Sequence, residues 1–76
     1  MNKERRKRVE KAAELLEDAQ SILQECLDEE QEYLDNIPEN LQSSDRYYNA
    51  EEAVDNLQSA IDDVENAIES ANNAIV

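Results

Sequence analysis

Glycine and histidine are absent from this 76-residue chain, and cysteine and proline occur once each. Without glycine there is no phosphate-cradling loop, dinucleotide fingerprint or EF-hand calcium loop, since each needs backbone conformations or close approaches that a Cβ blocks. Without histidine, Ser-His and Cys-His nucleophile pairs, the Glu-x-x-His motif of di-iron bundles and a ready zinc site are excluded too. The remaining residues predict neither an enzyme nor a protein with a resident cofactor, a metal or a small-molecule substrate. A single thiol, Cys26, forbids an intramolecular disulfide and suits a reducing compartment. Long apolar runs are missing as well. No stretch approaches the ~20 residues that span a bilayer. The basic start from Lys3 to Arg8 leads into an amphipathic segment rather than a signal-peptide core. The expectation is a cytoplasmic protein, in the bacterial case the cytoplasm of a host cell, with no membrane partner.

Bases are few and confined to one end. Lys3, Arg5, Arg6, Lys7, Arg8 and Lys11 stand against Glu4 and Glu10, so six charges less two leave residues 1 to 11 at +4. Beyond them Arg46 is the one base against eighteen carboxylates, a net −17, and the whole chain carries −13. Such a field repels free nucleic acid and anionic headgroups and attracts basic protein surfaces.

The sequence does hold a long heptad repeat. From Tyr47 the apolar positions run Tyr47, Ala50, Val54, Leu57, Ile61, Val64, Ile68, Ala71 and Ile75, with no charge among them. Alternating steps of three and four keep these residues on one stripe of a helix. Ala53, Ala60, Ala67 and Ala74 flank that stripe. Small side chains there let a second helix approach closely, and alanine favours the helix itself.

The first helix is expected from about residue 3 to 36, with a seam at Val9, Ala12, Leu16, Ala19, Leu23, Cys26, Glu30, Tyr33 and Ile37. Leu15, Ile22, Leu27 and Leu34 widen its apolar face beyond what a two-helix seam needs. The basic residues at its start oppose the helix macrodipole, so residues 1 to about 6 are expected to fray. Pro38 ends this helix, because the residue before a proline is pushed out of the α region. Residues 37 to 44 form a loop, in which Pro38 to Leu41 can make one helical turn with Leu41 plugging the end. The second helix, about 45 to 75, starts on Ser44 or on Asn49, with Ser44 favoured because Tyr47 already lies on the stripe. Two seams of equal length, about 42 Å each, fold back as one all-α domain over residues 1 to 76, an antiparallel αα-hairpin. A chain this short needs a staple or a partner. With disulfides excluded, the four wide-face residues predict a homodimer, two hairpins in a four-helix bundle.

Glu30 is the single charge on either seam. It either pairs with Arg46 or a tyrosine hydroxyl and sets register between chains, or stays hydrated where the bundle splays. The acidic run Asp28, Glu29, Glu30 and Glu32 fans around a helix rather than converging on a cation. Tyr33, Tyr47 and Tyr48 cluster near the loop beside Arg46, either as packing that closes the bundle end or, for Tyr48, as a binding hot spot. The tip Arg5, Arg6, Lys7 and Arg8 reads as an arm for an acidic partner or phosphate, or as a solubilising tail.

The segment from Leu27 to Tyr47 holds Asp28-Glu29-Glu30-Gln31-Glu32-Tyr33 and Asn36-Ile37-Pro38-Glu39-Asn40-Leu41-Gln42, and the Ala-Val and Ala-Ile heptads follow. Together these resemble small acidic helical-hairpin proteins encoded by bacteriophages and prophages, over about residues 12 to 75. Small acidic phage proteins are often inhibitors of host machinery, defence systems included. The resemblance implies an inhibitor that occupies a basic surface of a host or defence protein, a nucleic-acid-binding surface among the options. Asp28, Glu29, Glu32, Arg46 and Tyr48 are the candidate contacts. The alternative is a structural or adaptor coiled coil that binds through its apolar shoulder.

Overall fold

The lone proline divides the chain into two helices of similar length. The computed structural model describes residues 1–76: helix α1 over Lys3–Asp35, a 3-10 turn over Glu39–Leu41, and helix α2 over Asp45–Ala74. α1 tightens before Pro38, where the Ile37 amide bonds the Leu34 carbonyl at 3.2 Å, three residues back. Ser44 caps α2: its hydroxyl accepts from the Tyr47 amide at 3.3 Å and donates to the Leu41 carbonyl. α2 thus starts at the earlier of its two possible caps. The helices pack along their length as an antiparallel αα-hairpin with no strands, 59 × 14 × 14 Å over the Cα atoms.

α2 buries the stripe its heptads define. Ala50, Ile61 and Ile68 are buried and Tyr47, Val54, Leu57, Val64, Ala71 and Ile75 half-buried, nine positions in unbroken alternation. α1 meets it through a different stripe from the one its sequence suggests. Val9, Leu16, Leu23, Glu30 and Ile37 do face α2, but the positions between them are Ala13, Gln20, Leu27 and Leu34. Ala12, Cys26 and Tyr33, expected on the seam, are exposed, and Ala19 is half-buried. The reason is area. Adjacent residues lie ~100° apart around a helix, and rotating Leu27 and Leu34 inward removes more apolar surface from water than rotating Cys26 and Tyr33.

Two further expectations are corrected at the ends. Residues 3 to 6 are helical rather than frayed, because the Asn2 side chain accepts from the Arg5 amide at 2.7 Å and supplies the missing N-cap. Ile37, not Leu41, plugs the loop end: Ile37 is 3% exposed and Leu41 38%. The rigid turn at Pro38 holds Ile37 against the helices and carries Leu41 outward.

Candidate functional site

The loop end gathers the aromatic and basic side chains. Tyr33 comes from the last turns of α1, and Arg46 and Tyr47 from the first turn of α2, so the hairpin turn brings them level. The Arg46 guanidinium lies 5.0 Å from the Tyr33 ring centroid, and its Nε donates to the Tyr33 hydroxyl. The cation, though exposed, is thereby engaged by a side chain of its own chain. Glu30, Tyr33, Arg46, Asn49 and Ala50 line a shallow open cleft beside it. Glu30 sits there half-buried and makes no ion pair with Arg46; the single ion pair of the protein is Lys11 with Glu14 at 3.8 Å. Tyr48 stacks edge-on against Tyr47, with centroids 6.1 Å apart, and remains 55% exposed.

The carboxylates do not form a pocket. Asp28, Glu29 and Glu32 are exposed and, at ~100° per residue, point in three directions around α1. Asp28 accepts from Gln24 at 3.0 Å, Asp35 from Gln31 at 2.9 Å and Asp62 from Gln58 at 3.2 Å, each one turn along its own helix. No three His, Cys, Asp or Glu side chains gather closely enough to hold a metal ion. The basic tip is at the far end of the rod. Arg5, Arg6, Lys7 and Arg8 are exposed and pair with no acid, and Arg8 stands twenty residues, ~30 Å along the helix, from Asp28. The structure therefore joins Glu30, Arg46 and Tyr33 at one cleft, places Tyr48 on the other side of α2, and separates the basic tip from all of them.

The wide apolar face expected on α1 is divided in two. Leu15 and Ile22 are 56% and 61% exposed, whereas Leu27 and Leu34, expected to share their face, are covered by α2. Ala12, Ala19 and Cys26 continue the Leu15–Ile22 line, so α1 carries a second apolar stripe. The signal was in the sequence: Leu15 and Ile22 each stand one place before a half-buried leucine of the seam, Leu16 and Leu23.

Fold and surface together define a class: a helical hairpin with an acidic exterior, no charged residue buried and no enclosed cavity. No helix is long and apolar enough to cross a membrane. No protein-family model, curated protein or solved structure matches the chain.

Proposed function

We propose that this chain is a non-enzymatic protein-binding module that occupies a basic surface of a host or defence protein, in the manner of a phage-encoded inhibitor acting in the bacterial cytoplasm. The observation that carries the reading is the distribution of charge on a rigid rod. Eighteen carboxylates face one arginine from residue 12 onward, none is buried, and Arg46 is occupied by Tyr33. Such a surface presents negative charge on several faces and along tens of ångströms, as a nucleic-acid backbone does, and it suits basic grooves that bind nucleic acid. Tyr48, 55% exposed on the other side of α2, supplies an aromatic contact at the loop end.

The test is capture of partners from a bacterial lysate, followed by binding of the purified pair across a salt series. A basic partner, an affinity that falls at least tenfold between 50 and 200 mM salt, as phosphate-mimicking contacts imply, and competition by DNA or RNA are expected. A partner held equally well at high salt and indifferent to nucleic acid would end the proposal. Exposed Leu15 and Ile22 favour a second role, self-association as a structural or adaptor coiled coil.

A further inference from the structure

The second apolar stripe of α1 continues at both ends into charge. Its centre is Ala12, Leu15, Ala19, Ile22 and Cys26, at steps of three and four. The same steps lead back to Arg8 and Arg5 and forward to Glu29 and Tyr33. The stripe is thus basic at its start, apolar in its middle and acidic near its end. It is also symmetric about Ala19, the midpoint of α1.

We infer that this stripe is the contact face of a homodimer in which α1 of one chain lies antiparallel to α1 of a second copy, with the two-fold axis at Ala19. The inference rests on the self-association reading and adds the occupant and the register. Charge decides the direction. In the antiparallel register residues 3–11, with six bases, lie level with residues 27–35 of the second copy, which hold five acids and no base. Arg5 then lies level with Tyr33, and Arg8 stands one residue, ~1.5 Å along the axis, from level with Glu29 on the same stripe, within side-chain reach. A parallel pair would set arginine on arginine and glutamate on glutamate. At physiological salt the Debye length is ~8 Å, so the mutual repulsion of two chains of −13 is largely screened while the Arg8–Glu29 contact is not. The arrangement also places each basic tip, unpaired in the hairpin, against carboxylates.

Area and shape agree. The chain exposes 5594 Å², against roughly 4,700 Å² for a compact protein of 8.7 kDa. The excess is surface that an elongated hairpin leaves uncovered, and the Ala12 to Cys26 stripe lies within it. Ala12, Ala19 and Cys26 precede the seam positions Ala13, Gln20 and Leu27 of α1 by one residue, as Ala53, Ala60 and Ala67 precede Val54, Ile61 and Ile68 on α2, and Leu15 and Ile22 lie on the same flank. In antiparallel helices such equivalent flanks fall on the same side, so both helices offer apolar side chains to one neighbour. The opposite side is polar and closed by the Gln20 to Glu65 hydrogen bond at 2.6 Å.

The register is tested by crosslinking the full chain. With the axis at Ala19, residue 12 lies level with Cys26 of the second copy, so Ala12→Cys under mild oxidation should give a covalent dimer. Within one chain the same two positions are ~21 Å apart along the helix and cannot bridge. The two native Cys26 thiols are separated by the same distance, so the unmodified chain should give no such product. Sedimentation of charge variants supplies the second measurement: Arg8→Glu should weaken the dimer about tenfold, and Arg8→Glu with Glu29→Arg should restore it. A helical chain that stays monomeric at micromolar concentration overturns both the inference and self-association, and assigns the face to some other occupant. A dimer that fails to crosslink through Ala12→Cys, or is not rescued by the charge swap, overturns the inference and leaves self-association standing.

Discussion

Glu30 occupies a position where every heptad equivalent on α1, from Val9 to Ile37, is aliphatic. It is half-buried beside Tyr33 and Ala50 and neither the Arg46 guanidinium nor any other base neutralises it. A carboxylate held there loses hydration without gaining a partner. Glu30→Leu should therefore stabilise the hairpin by about 1 kcal/mol, a rise of ~4–8 °C in Tm for a domain of this size. Thermal unfolding followed by circular dichroism checks it; an unchanged or lower Tm would mean that Glu30 is satisfied by a contact outside the hairpin. Arg46 shows the converse case. As the one base near the loop it was the natural partner for Glu30, yet it is taken by the Tyr33 ring and hydroxyl, a preference that residue order alone does not reveal.

At the scale of the helices, α1 and α2 differ in how firmly their patterns choose a face. α2 keeps all its large aliphatic residues on one stripe, with alanine on one flank and Asp, Glu, Asn and Gln beyond, so only one rotation hides its apolar surface. α1 has two apolar stripes side by side, and the choice between them falls to the larger side chains, Leu27 and Leu34. Neighbouring alanines test that choice. Ala13 is buried and Ala12 exposed, so Ala13→Leu should overpack the interface and cost about 1–3 kcal/mol, while Ala12→Leu should alter hairpin stability by less than about 0.5 kcal/mol. Chemical denaturation in dilute solution measures both, and the reverse ranking would restore the Ala12, Ala19, Cys26 seam. The charges of α1 run against its macrodipole, bases at the start and acids in the last turns. An antiparallel neighbour of the same sequence brings each end opposite its complement.

Over the whole molecule, six of 76 residues are buried and none of the large side chains is fully enclosed, a small core for a chain that must order two helices of thirty residues or more. A core of that size leaves association room to add stability. If the hairpin self-associates, its Tm should rise with protein concentration, since a partner that binds only the folded chain stabilises it by mass action. Leu15→Glu together with Ile22→Glu should abolish that dependence while the isolated hairpin keeps its helicity. A Tm independent of concentration in the native chain would refute the role of that face. The acidic exterior is compatible with such a dimer, because the carboxylates of α2 away from the alanine flank, such as Asp55, Asp62 and Glu69, remain free for a basic partner.

The local elements followed from sequence for local reasons. Pro38 terminates a helix by steric exclusion, Ser44 accepts an otherwise orphaned amide, and a heptad without charges leaves α2 a single way to turn. The loop, both helices and the α2 side of the core rest on such short-range rules. Tertiary structure alone decided which stripe of α1 meets α2, where Arg46 spends its charge, and that Ile37 rather than Leu41 closes the end. These are competitions between groups of similar local preference. They are resolved by which arrangement removes more surface from water once the two helices touch, a quantity that exists only in the packed pair.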